Sequence, residues 1–147
     1  MAIERRAVTL TADDYDAIIV LWQAAGLTSI RLNGRDSREA FEEQLSKDTQ
    51  TVLGVRDGAW LVAVIVVTHD GRKGWLNRLA VHPEYRRQGL GTFLIAEAEH
   101  TLKRQGIHII AALVEGWNDV SLALMTKAGY EDYPDIHYLR KLENDDV

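Results

Sequence analysis

Between residues 81 and 94 the chain reads VHPEYRRQGLGTFL, an apolar run closed by a proline, two arginines and a pair of glycines just where a helical pattern begins. Such a break suits an anion. The first N–H groups of a helix have no intrahelical partner and carry partial positive charge, so a phosphate placed there is held by backbone alone. Gly89 and Gly91 remove two Cβ atoms from the entrance. The amides of Arg87, Gln88, Gly89, Leu90 and Gly91, with Thr92 next in line, could then close around phosphate oxygens while Arg86 and Arg87 add positive charge. Pro83 keeps the preceding strand from pairing further. The same glycines would also serve a tight strand-to-helix turn that binds nothing. Two phosphate motifs are excluded. No Lys-Ser or Lys-Thr pair follows the glycines as in a P-loop, and no set of three glycines opens an early unit of a parallel sheet.

The elements that must position this break follow from periodicity. Thr11 suits an N-cap, and Tyr15, Ile18, Ile19 and Trp22 fall on one helical stripe that ends at Gly26 and reads as core. In GRDSREAFEEQL, Asp36 and Glu39 form a capping-box-like pair before a short charged helix carrying Phe41 and Leu45. Next, TVLGVRDGAWLVAVIVVTHDG reads as two strands joined by Asp57-Gly58, a two-residue hairpin turn. A third strand runs from Trp75 to Val81. The helix after Gly89 presents Leu90, Leu94, Ala98 and Leu102 on one side and stops at Gly106. The run IHIIAALV is a buried strand, Asn118 to Lys127 a further helix closed by Gly129, and Ile136 to Leu142 a last strand. This order describes a mixed α/β (α+β) fold: a mostly antiparallel sheet with one right-handed strand–helix–strand crossover.

The chain has 147 residues, which suits a single domain over 1–147 that buries roughly two thirds of its unfolded surface. Its net charge of -5 argues against a general nucleic-acid binder. Without cysteine there is no disulfide scaffold, thiolate metal site or cysteine nucleophile, and a reducing cytoplasm is the expected compartment. The apolar run from Trp60 to Val67 is too short to span a bilayer, so no membrane association is expected. His69 and Asp70 are two ligand types without a closing set, and we expect no metal.

The stretch LAVHPEYRRQGLGTFLIAEAE resembles the cofactor motif of the GNAT superfamily of acyl-CoA-dependent N-acetyltransferases, Arg/Gln-x-x-Gly-x-Gly/Ala after a strand ending Val-x-Pro, with Arg86, Gly89 and Gly91 in place. The later segment from Asn118 to Tyr130 resembles that family's second cofactor segment. The likeness extends over essentially the whole chain and is nearest to small single-domain bacterial members. It implies a GNAT-like sheet of six to seven strands flanked by about four helices, with a splayed pair of central strands admitting the pantetheine arm of acetyl-CoA. Amides at Leu79 and Val81 would pair with pantetheine or the thioester, and the latter contact would stabilise oxyanion charge. Asn118 would bind the cofactor, cap a helix, or do both. The implied activity is acetyl transfer to a primary amine of a small molecule or protein. A non-catalytic acyl-CoA sensor and an interaction module are the alternatives, in a monomer or homodimer.

Two positions depart from the family pattern. Met125 stands where many relatives carry a tyrosine that protonates the departing thiolate, and a thioether cannot donate a proton. Tyr130, Tyr133 and Tyr138 are possible substitutes. Arg78 stands where many relatives carry a glutamate that deprotonates the amine. If Arg78 faces the cleft it would repel a protonated amine and attract a carboxylate or phosphate; otherwise it faces solvent or pairs with an acid. The remaining catalytic candidates are Glu115 and His82. On the acceptor side, Arg35 and Asp36 are candidates for substrate binding, with capping by Asp36 and solvation of Arg35 as the other reading.

Overall fold

Trp60–His69 forms the middle strand of the sheet because its apolar side chains have two faces to fill. Ala63, Ile65 and Val67 are buried against one helical layer, Val64 and Val66 against the other. A strand covered on both sides reads as a continuous apolar run rather than an alternation. The computed structural model describes residues 3–147. Its strands are β1 (Val8–Thr9), β2 (Gln50–Asp57), β3 (Trp60–His69), β4 (Lys73–Val81) and β5 (Ile109–Ala112), in that spatial order. Successive neighbours are antiparallel except β4 and β5, which run parallel.

The helices are α1 (Tyr15–Ala24), α2 (Arg38–Leu45), α3 (Leu90–Arg104) and α4 (Asp119–Lys127). The expected stripe of α3 is buried on the first face, where Leu94, Ala98 and Leu102 have no exposed surface. On the second face Tyr15, Ile18, Ile19 and Trp22 of α1 pack with Phe41 of α2. No helix among the described residues is long and apolar enough to cross a membrane.

Four details differ from the sequence reading. The sheet has five strands rather than six to seven, because the segment from Ile136 to Leu142 forms none. Apolar Leu139 and cationic Arg140 break its alternation, and Ile136, Tyr138 and Leu139 are exposed, so no apolar face exists to hold it on the sheet. The hairpin loop is Gly58 and Ala59, since Asp57 already pairs with Trp60. A short 3-10 turn, Ala12–Asp14, precedes α1 under the Thr11 cap. The cap of α2 is Ser37, whose hydroxyl accepts from the Ala40 amide at 3.1 Å, and Asp36 is thereby released for another purpose.

Leu94→Ala should lower the unfolding free energy by about 2–5 kcal/mol, because it opens a cavity between α3 and β3. Urea denaturation with an unchanged slope would verify it; a loss below about 1 kcal/mol would place Leu94 outside the core.

Candidate functional site

The parallel ladder between β4 and β5 runs from Lys73 opposite Ile109 to Leu76 opposite Ala112 and then stops, while β4 continues to Val81. The strands part there. On its other side β4 stays paired to β3 up to Val81, but with a bulge: Val66 opposes Asn77 and Val64 opposes Ala80, so Ile65 faces both Arg78 and Leu79. Arg78 absorbs the extra residue with φ of 49°. Bulges re-aim side chains and backbone groups, and they concentrate near sites. A cleft of about 740 Å³ opens along the split and reaches from Leu113, Glu115 and Asn118 across Leu79 and Arg78 to Trp22 and Arg35.

The break after β4 is a tight strand-to-helix turn. Pro83–Tyr85 forms a single 3-10 turn, Arg87 and Gly89 both take left-handed φ values, 64° and 76°, and α3 begins at Leu90. Only glycine enters that region without steric cost. Arg86, Arg87, Gly89 and Thr92 are exposed at the turn, while Gln88 is partly buried. Arg5 reaches this turn and donates from Nη2 to the Gln88 carbonyl. A Cβ added at Gly89 would lie 3.0 Å from that same Nη2, whereas one at Gly91 would lie 2.7 Å from Leu124 Cδ2. The two glycines therefore do different work. Gly89 keeps the turn open, and Gly91, buried with Leu90, lets α3 approach α4.

At the opposite end of the cleft the centre is Asp36, 9% exposed. Its Oδ2 accepts from the Arg31 amide at 2.7 Å and from Arg78 Nη2 at 3.0 Å, and its Oδ1 lies 2.9 Å from Arg78 Nη1. Tyr15 donates its hydroxyl to the Asp36 carbonyl, and the Arg78 guanidinium lies 4.7 Å from the Trp22 ring centroid. Arg78 thus pairs with an acidic neighbour and lines the cleft as well. A guanidinium so held is no acid–base catalyst. Arg35 extends alongside, donating from Nη2 to the Ser29 carbonyl at 2.9 Å.

Of the other candidates, Glu115 is exposed and lines the cleft, and Asn118 lines it while its Oδ1 caps α4 through the Ser121 amide at 3.1 Å. Leu79 lines the cleft; Val81 packs partly buried toward α3. His82 lies outside the cleft lining, because its Nδ1 accepts the Glu84 amide and its ring packs edge-on against Tyr85. Met125 lines the cleft, as does Tyr138. Tyr130 donates to Glu99 at 2.7 Å, and burial with that carboxylate pushes its pKa well up. Tyr133 bonds Glu131 at the surface. His69 and Asp70 accept amides of their own turn, and no group of ligands among the described residues could hold a metal. The sequence reading missed Trp22 as a lining residue; its indole N–H, a polar handle on an apolar stripe, was the available signal. Arg5 gave no signal, since nothing local ties it to residues so far along the chain.

The model of the acetyltransferase (GNAT) family matches residues 18–130. The chain belongs to the GNAT family. A curated acetyltransferase of Photorhabdus laumondii subsp. laumondii is 32% identical to this GNAT chain over 120 residues, covering 82% of each. Two solved structures share its fold. The PaiA N-acetyltransferase of Thermoplasma acidophilum, in complex with coenzyme A, superposes with a TM-score of 0.76 at 23% identity, covering 89% of this chain and 91% of that one. An aminoglycoside acetyltransferase from an uncultured soil metagenomic sample, in complex with sisomicin, superposes with a TM-score of 0.78 at 15% identity, covering 94% and 96%.

In this GNAT chain Asp36→Ala should cost about 3–5 kcal/mol in urea denaturation, since it leaves the Arg78 cation buried without its partner. Adding Arg78→Met should recover part of that loss. Additive losses in the double mutant would show that the two side chains are not coupled.

Proposed function

We propose that the chain is an N-acetyltransferase that moves an acetyl group from acetyl-CoA to a primary amine of a small molecule or protein. The observation that carries this reading is the unpaired edge of β4, from Asn77 to Val81, lying next to an open glycine turn at the head of α3. An extended amide-bearing arm fits an unpaired strand edge, and a pyrophosphate fits a turn where a Cβ would crowd a guanidinium. Both features suit coenzyme A, and the complex of the Thermoplasma relative with it agrees.

When bound, acetyl-CoA supplies an acetyl group activated as a thioester. Arg86, Arg87, Gln88 and Gly89 hold its phosphates, with Leu90, Gly91 and Thr92 completing the helix head. Leu79 and Val81 offer backbone amides along the arm, and the one nearer the thioester stabilises negative charge on its oxygen. Asn118 caps α4 with Oδ1 and keeps its amide N–H groups for the arm. Glu115, at the mouth of the cleft, takes the proton that the amine must lose before its nitrogen bonds to the acyl carbon. Tyr138, which also lines the cleft, returns a proton to the sulfur as the carbon–sulfur bond breaks. Arg35 and Asp36 belong to the acceptor end.

A second reading has its own observation. Met125, a side chain without a proton, lines the cleft where relatives often keep their acid, which suits an acyl-CoA sensor. A thiol-release assay separates the two. An enzyme liberates coenzyme A with some amine, and Tyr138→Phe lowers kcat about tenfold or more. A sensor binds acetyl-CoA and liberates none.

Gly89→Val should weaken coenzyme A binding by tenfold or more, in calorimetry, because it fills the turn and strains a left-handed residue. Equal affinity of mutant and wild type would end the anion reading of this turn.

A further inference from the structure

The acceptor end of the cleft holds more cations than it can neutralise. Asp36 is the carboxylate there, and both its oxygens are taken by Arg78 and the Arg31 amide. Arg35 Nε is left 3.8 Å from Oδ2, beyond hydrogen-bond reach, and the other end of that guanidinium meets only the neutral Ser29 carbonyl. Arg140 of the C-terminal segment enters the same cleft, and Glu115 lies toward the split of β4 and β5. Burial, and then the charges of Arg35 and Arg31, depress the Arg78 pKa in spite of Asp36.

Two donors in this wall, Trp22 Nε1 and Arg35 Nε, have no acceptor among the described residues. Arg78 Nη1 is paired to Asp36 Oδ1 at 2.9 Å. Trp22 is 4% exposed, so its N–H is closed to water and to a ligand alike in this conformation. Buried polar groups in folded proteins are almost always partnered, and the Arg35 guanidinium, with only a neutral carbonyl on it, is short of an anionic acceptor. Arg35, at 38% exposure, carries that demand to the surface of the cleft.

We infer that the amine substrate carries an oxyanion close to its nitrogen, a carboxylate or a phosphate, and that Arg35 and Arg78 receive it. The inference rests on the N-acetyltransfer reading above. Planar guanidinium forks match both oxyanions. The spacer must be short. Arg78 and Leu79 are consecutive in the bulge, so an anion at Arg78 brings the amine to the β4 edge where the thioester lies. The same charges disfavour a polycation.

The test compares matched amines in the thiol-release assay: an amino acid against its amide, phosphoethanolamine against ethanolamine, and spermidine alone. The anionic member of a pair should have a kcat/KM about tenfold higher or more, and the pair with the larger gap names carboxylate or phosphate. Arg35→Met should raise the KM of the anionic member and flatten the preference. Equal use of both members, or preference for spermidine, overturns the inference. If no amine is turned over, calorimetry with an N-acetylated amino acid and its amide decides. Binding that needs both the carboxylate and Arg35 upholds the oxyanion subsite and discards the transfer reading, while equal or absent binding of both discards the subsite.

Discussion

Everything functional in this molecule depends on one mismatch of strand lengths. β5 pairs with β4 only as far as Leu76, and β4 goes on to Val81 because β3 still holds it on the other side. A backbone edge without a strand partner is usually a liability that proteins cover. Here it faces a cleft bounded by α4 and by the connection between α1 and α2. The parting is kept open by packing: Gly91 lets Leu124 of α4 meet α3, and Leu79 lies beside the same contact.

The two faces of β3 divide the labour. The face toward α3 carries the larger buried cluster and fixes where the helix begins, hence where its unpaired amides point. The face toward α1 carries Trp22 and Val66, and above them the Asp36–Arg78 pair. Asp36 has a second duty, since its hydrogen bonds with Arg31 close the loop from Gly26 to Ser37. An ion pair taken out of water seldom adds net stability. Its value here is placement, because it fixes a guanidinium next to the bulge.

The helices and the long strands were legible because each has a period: α3 in its leucine stripe, β3 in its uninterrupted apolar run. The glycine turn was legible as a motif, although the separate duties of Gly89 and Gly91 were not, since Leu124 meets Gly91 only in space. Asp36 read as a cap because Asp, Ser and Glu39 stand together, and local chemistry favours Asp and Ser equally at that position. Its partner Arg78 is far along the chain, so nothing near Asp36 announced the pair. The segment from Ile136 to Leu142 has strand-forming types without a buried face, and tertiary packing, not propensity, decides such cases. His82 looked suited to catalysis by type alone; its turn engages Nδ1, and the ring lies outside the cleft lining.

The central claim is that the free edge of β4 and the turn before α3 together receive coenzyme A. Backbone amide hydrogen exchange, with and without saturating acetyl-CoA, tests it residue by residue. The account predicts slowed exchange confined to Leu79, Val81 and the stretch from Arg87 to Thr92, with β1 and β2 unchanged. Binding that leaves those amides exchanging as before, or protection confined to another face, would contradict it.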